Sequence, residues 1–560
     1  MKKILLTGFA IAAAFVGSLA QKEEMKELWS VKLTHDADNT GLEESSGTLF
    51  SSNEKDMTVI SPENGSVKWT NHFKDMGVKL RKVDEQIPMY EAKVHFLFER
   101  KFGKDQMVVI DLETGKLLWN TDKYQNIGYE NVVYIPEMES FAISTKEALT
   151  MVKARTGEEV WSTTKFKGVV GAYIYDANEK AIIMLNYKPT ALAALFSGFK
   201  NQLVKINMTN GDIIWDVAYF GLVEKAVVSR KPLLKLWLNG DRLFLGLNGF
   251  HVYDYKTGKI QWSVAYDQSA LDTYRRGIGA FGFGGRRLIA YSVYEAIADP
   301  IIEGNDVYIF DMASKGSQYV KKYDLISGKL LWTSPEIKKC AIAPNMYKLN
   351  GQIILQIGGV ARVEAIYEIT ERNSDGSTYT YRQYKIFYQN FGPYGISSFN
   401  ADNGQQVWRS ERFAKGVTNV FPHEDKLIVC SGKAIYSLDQ KTGAEKYEIL
   451  LKDDDINNAY KIFDRGGDNV MILAEKGVSL HKKSDGSKVW SVRTKRGDFD
   501  GFYGNTAIYA TEKDDQFAID TESGKFTYYD ARKGAKTQIT SDGNFMFVFE
   551  KKNVTKLSTK

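Results

Sequence analysis

Few stretches of this 560-residue chain carry side chains in an order that does chemistry. Gly277 to Gly282, GIGAFG, has the glycine spacing of a dinucleotide-binding loop, whose backbone approaches a pyrophosphate at a helix N-terminus. That chemistry needs a strand before the loop and a helix after it. Here the polar LDTYRR precedes and the strand-like RRLIAYSVY follows, so the stretch reads as a flexible glycine-rich loop. Asp453, Asp454 and Asp455 offer carboxylates for calcium without the alternate spacing or central glycine of a calcium loop, and read as an acidic turn. The six histidines, His35, His72, His95, His251, His423 and His481, show no metal-ligand spacing and no His-Glu-x-x-His. No Gly-x-Ser-x-Gly elbow presents a serine nucleophile. Carboxylate pairs drawn from distant elements leave no linear trace. No catalytic, cofactor-binding or metal-ligating residue is therefore assigned.

Binding is written more clearly than catalysis. Around the glycine-rich loop stand Arg275, Arg276, Arg286 and Arg287 with Phe281 and Phe283, a set able to grip an anionic partner such as lipid headgroups, glycan or nucleic acid. The stretch IYEITERNSDGSTYTYRQYKIFYQNFG reads as a protruding hairpin turning at Asp375-Gly376. In it Tyr379, Tyr381, Tyr384 and Tyr388 alternate with Arg382 and Lys385, residue types that interfaces favour. A third insert, Pro189 to Lys200, reads as one or two helical turns. Partner binding is assigned to Tyr379, Tyr381, Arg382, Tyr384, Arg275, Arg276, Phe281, Phe283, Arg286 and Arg287, within insertions at 189–200, 272–287 and 366–392.

What must carry these inserts is a repeat. Met107 to Trp119, MVVIDLETGKLLW, is an apolar strand, an Asp-x-x-Thr-Gly turn and a short strand ending in Trp. Aligned on the glycine, the phrase returns as Gly65/Trp69, Gly157/Trp161, Gly211/Trp215, Gly258/Trp262, Gly328/Trp332, Gly404/Trp408, Gly443/Tyr447, Gly486/Trp490 and Gly524/Tyr528, ten copies in all. The position four before the glycine is usually Asp or Asn, whose side chain bonds turn amides, and the glycine supplies the positive φ of a tight reversal. Strand alternation puts Leu117 and Trp119 on one face and Leu118 on the other.

Repeats of roughly 40 to 50 residues built of short alternating strands are the signature of a β-propeller. The phrases VVIDLETGKLLW and VYDYKTGKIQW resemble the tryptophan-docking repeat of the PQQ-like, quinoprotein-type propeller family. That family includes PQQ-dependent dehydrogenases and non-enzymatic relatives, among them the propeller lipoprotein of bacterial outer-membrane assembly. The resemblance implies an all-β fold of four-stranded antiparallel blades, about ten or eleven repeats, in one ring or two smaller propellers. It assigns Trp29, Trp69, Trp119, Trp161, Trp215, Trp262, Trp332, Trp408 and Trp490 to structural docking, leaving only Trp237 elsewhere. Burying about 150–250 Å² each, such tryptophans are explained by stability without any ligand. KELWSV at Lys26 to Val31 matches the last strand of a repeat but lacks its turn, while GNFMFVFEKKNVTKLST supplies two strands and no closing phrase. The two ends are expected to pair and close the ring, removing exposed sheet edges.

The quinoprotein dehydrogenases carry an adjacent cysteine pair, and this chain has only Cys340 and Cys430, far apart, either paired or as two buried thiols. Residues 1–20 read as a secretory leader ending Ser18-Leu19-Ala20, with residues 21–560 forming the propeller. No cysteine follows for lipid anchoring and no later stretch is apolar enough to span a bilayer. Net charge is +5, or +3 once Lys2 and Lys3 leave with the leader (72 basic against 69 acidic residues), which argues against nucleic-acid binding. The expectation is a non-catalytic, cofactor-free scaffold, periplasmic or outer-membrane associated, that binds a protein partner of the cell envelope. A PQQ- or metal-dependent quinoprotein oxidoreductase and a glycan-binding module stand as alternatives.

Overall fold

The computed structural model describes residues 23–560 apart from 79, 101–104, 125–126, 129–130, 146, 188–199, 220–234, 248, 266–285, 294–296, 313–316, 339, 373–377, 411–412, 414, 452–455, 495–496 and 512–514. The leader, the helical insert and the hairpin turn expected at 375–376 lie outside the described residues. For 286–293 and 364–386 the description is of backbone pairing.

Each Gly-x-x-x-Trp phrase is the last turn and last strand of a four-stranded antiparallel sheet, and there are eleven such sheets. Blade 2 is typical: Glu85–Met89, Val94–Glu99, Gln106–Asp111 and Leu117–Thr121 lie side by side in chain order. Blades 1 to 11 begin at Asn39, Glu85, Val132, Val169, Lys235, Ile301, Met346, Phe421, Ala459, Gly497 and Lys536. The first strands approach one another on the inside of the ring, where Gln538 donates to Thr40 Oγ1 at 3.2 Å and the Tyr347 hydroxyl to the Val420 carbonyl at 2.9 Å. The fourth strands form the rim, alternating exposed and half-buried residues as in Val67–His72.

Blade 11 takes its fourth strand from the other end of the chain: Lys26–Lys32 pairs antiparallel with Asn553–Ser558, Trp29 opposite Lys556. Glu23–Glu24 adds to the outer edge of blade 10 in parallel, Glu23 opposite Thr527. A shared core of Met25, Ile508, Ala518, Met546, Val548 and Leu557 joins blades 10 and 11. The result is one eleven-bladed ring, closed as the chain ends imply.

The repeated Trp holds each blade to the next. The ring of Trp119 lies over Gly157 of blade 3, that of Trp161 over Gly211 of blade 4, and so on from Trp29 over Gly65 to Trp490 over Gly524. A Cβ on any of these glycines would stand 2.4–2.9 Å from the preceding blade's ring. Each indole N–H donates to a carbonyl of the same turn: Trp119 to Ala154 at 2.9 Å, Trp161 to Met208 at 2.8 Å, Trp332 to Ala401 at 3.1 Å. Tyr447 does the same with its hydroxyl, donating to Lys483 at 3.1 Å while its ring covers Gly486. The glycine therefore answers two demands at once: φ lies between +68° and +76° in all ten turns, and a side chain would displace the ring. The turn aspartates act as expected, Asp111 Oδ1 accepting from the amides of Glu113 and Thr114 at 3.0 and 2.7 Å.

Strand alternation fails at the Trp. Leu117 pairs with Ile110 but Trp119 with Val109, so a β-bulge absorbs Leu118. Leu117 is consequently exposed, and Leu118 instead packs against the core that holds Trp119. The bulge turns the indole across to the next blade. Cys340 and Cys430 are both free and buried in separate cores.

Candidate partner-binding face

Strand direction alternates within every blade, so connections fall on two faces. Turns between first and second strands and between third and fourth strands share one face, where the longest connection runs only from 61 to 66. Connections between second and third strands, and between blades, share the other. All three insertions leave from that second face: 189–200 joins the middle strands of blade 4, 272–287 lies between blades 5 and 6, and 366–392 joins the middle strands of blade 7. The short face carries the docking turns; the loop face carries the longer connections, the kind of segment on which binding residues generally sit.

Blade 7 is the exception that builds the site. Its middle strands, Gln352–Arg372 and Thr378–Asn400, run far past the blade as a paired arm. Register breaks between Ile357 and Gly359, where Gly395 gives way to Phe391 as partner. There a Cβ on Gly358 would lie 2.0 Å from the Pro393 carbonyl oxygen and one on Gly359 2.7 Å from that of Val417. Only glycine admits this bend, which the Val360 amide secures by donating to Val417 at 2.8 Å. Beyond it, Val363, Phe387 and Phe391 pack on the core of blades 5 to 7, while Tyr388 stacks on Tyr460 of blade 9, centroids 4.7 Å apart and planes at 14°. The arm therefore leans inward past blade 8 to the innermost strand of blade 9.

The second insertion joins the first. Arg286–Val293, the strand that follows the glycine-rich loop, pairs antiparallel with the arm from Val363 to Ile369. Arg286 stands opposite Ile369, itself opposite Tyr381, and Arg287 opposite Glu368, itself opposite Arg382. Tyr379 is opposite Glu371 and Tyr384 opposite Ile366. Six of the ten assigned partner residues thus share one three-stranded sheet, although they stand nearly a hundred positions apart in sequence. Arg275, Arg276, Phe281 and Phe283 lie outside the described residues, as do GIGAFG and Asp453 to Asp455.

Sequence reasoning missed the surface beneath the arm. Tyr460 and Phe463 on the first strand of blade 9 and Phe499 and Phe502 on that of blade 10 form a half-exposed aromatic shelf, with Phe463 and Phe502 4.8 Å apart. Arg465 lies 4.9 Å over Phe502 and Lys461 5.7 Å over Phe463. The runs YKIF and FDGFY were the available signal, but inner strands share no repeated phrase to draw attention to them. A groove of about 400 Å³ opens on the same face between blades 1 and 2, lined by Asp38, Glu54, Lys82, Asp84 and Glu85 among others. Its carboxylates are largely matched: Lys82 bonds Glu54 at 3.2 Å and holds it below the usual carboxylate range, and Arg100 bonds Glu85 at 2.9 Å. Among the described residues no group of His, Cys, Asp and Glu is arranged to hold a metal, and no helix is long and apolar enough to cross a membrane.

The family model described as outer membrane protein assembly factor BamB matches residues 17–264 and 393–541. The unmatched interval, 265–392, contains the glycine-rich insertion, blade 6 and nearly the whole arm. Among solved structures, BamB from Moraxella catarrhalis is 12% identical over 82% of this chain and 98% of its own, with a TM-score of 0.25. The computationally designed Ika8 protein is 12% identical over 72% of this chain and 100% of its own, with a TM-score of 0.34. No curated protein sequence matches the chain.

Proposed function

Because the chain belongs to the propeller family described as outer membrane protein assembly factor BamB, we propose that it is a non-catalytic scaffold of the bacterial cell envelope, secreted to the periplasm, that holds a protein partner on its loop face. The observation that carries this reading is the convergence of separate insertions into one sheet on one face, opposite a face of uniformly short turns. Tyrosine and arginine, the types that dominate interface energetics, concentrate in that sheet by sequence. The aromatic shelf extends the same surface inward. Anionic glycan is a weaker candidate, since the arm's middle strand carries Glu364, Glu368 and Glu371.

Photo-crosslinking amino acids at Tyr379 and Tyr384, with controls at Lys116 and Asn64 on the turn face, test this in intact cells. Discrete protein adducts from the arm alone are expected, in the fraction released by osmotic shock. Adducts from both faces alike, or retention of the protein in the cytoplasm, would overturn the reading.

A further inference from the structure

The arm's acidic residues are confined to one of its three strands. Its middle strand carries Glu364, Glu368 and Glu371 together with Arg362 and Arg372, whereas Arg286–Val293 on one side and Thr378–Asn400 on the other have no acidic residue and bear Arg286, Arg287, Arg382 and Lys385. Register sets Arg287 and Arg382 on either side of Glu368. Over 378–387 the only described backbone partner is the middle strand, so the outer edge is open among the described residues. Pairing there is unbroken from Val360 to Arg372, and 378–387 contains no proline. The rims of the blades differ: at Trp119, Trp161, Trp215, Trp262, Trp332, Trp408 and Trp490 a bulge interrupts the outer strand. Bulges, prolines and charged side chains are ways in which sheet edges are protected from addition; this edge has neither bulge nor proline, and its charges, Arg382 and Lys385, repel a basic strand and not an acidic one.

We infer that the outer edge of 378–387 accepts an extended, acidic segment of the protein partner as an added β-strand. The inference rests on the loop face being the partner face. A second copy of this chain is disfavoured, because 378–387 carries only positive charges, Arg382 and Lys385, and an antiparallel self-pairing centred between Gln383 and Tyr384 sets these two opposite each other. An acidic strand instead continues the alternation of charge across the sheet, with main-chain bonds supplying affinity. The chain uses this mode once on itself, where Glu23–Glu24 adds to the open edge of blade 10. The edge strand 378–387 lies in the interval 265–392 that the family model leaves unmatched.

The test is fluorescence anisotropy of the mature protein with a labelled decapeptide of alternating Val and Glu, its Val–Lys counterpart, and a Val–Glu version with proline at every second valine. The Val–Glu peptide should bind about tenfold or more tightly than either other peptide, and Arg382→Glu with Lys385→Glu should remove that preference. Equal binding of the Lys or proline peptide overturns the inference. So does an unchanged preference in a double variant whose melting curve matches the parent. If that variant is unstable, the contrast among the three peptides on the unsubstituted protein decides. Arm crosslinks that persist while the peptide preference is absent sink strand addition and leave the scaffold reading standing.

Discussion

Trp119 sits over Gly157 of the following blade, its ring 2.7 Å from where a Cβ would stand and its N–H bonded to Ala154 at 2.9 Å. The relation repeats around the ring, so the stability of each blade depends on its neighbour's turn. A closed ring of interdependent blades is a stiff platform from which one face can present an arm.

Gly157→Ala should destabilise the protein by about 2–4 kcal/mol, combining left-handed strain with displacement of an indole. Gly240→Ala, at φ +57° with nothing within 4 Å of the added carbon, is the control and should cost about 1 kcal/mol. Urea midpoints compare them, and equal losses would mean the indole contact contributes nothing.

Tyr447 shows that a phenol can take the docking place. Trp408→Tyr should therefore cost about 1 kcal/mol and Trp408→Ala about 3–5 kcal/mol, read from thermal melts. Similar losses for both would refute the equivalence.

Removing residues 21–32 leaves the Asn553–Ser558 strand as an unpaired edge. Concentration-dependent oligomers should then appear by light scattering, while the parent stays monodisperse. A monodisperse truncated protein would show that closure is not what protects the edge.

His95 is wholly buried beside Phe50, one ring nitrogen bonded to Gln86 at 3.1 Å, and burial pushes its pKa down to about 3. An unfolded histidine binds a proton near about 6.5, so the stabilisation is full above that pH and declines as pH falls toward 3, by up to about 1.4 kcal/mol per unit. His95→Phe should flatten this share of the slope between pH 7.5 and 5. Parallel pH profiles of parent and variant would contradict the linkage.

Burial also raises both thiols, Cys340 to about 12. Neither should react with Ellman's reagent in the native protein, both should react in urea, and reductant should leave the melting temperature unchanged. Rapid labelling without denaturant would count against the packing around them.

The spacing of Gly and Trp was enough to specify blades, turns, docking tryptophans and the pairing of Lys26–Lys32 with the C-terminal strands, because each is a local demand repeated often enough to be seen. Strand period alone misplaced Leu117 and Leu118, since a bulge is set by what the Trp must reach in the next blade. Only the tertiary structure decided that the ring is single and eleven-bladed, because blade number depends on the angle between neighbours, which no single repeat encodes. Only it brought Arg287 beside Glu368 and Arg382, and Tyr388 onto Tyr460. Such contacts arise from long-range closure around the ring and leave no periodic trace along the chain.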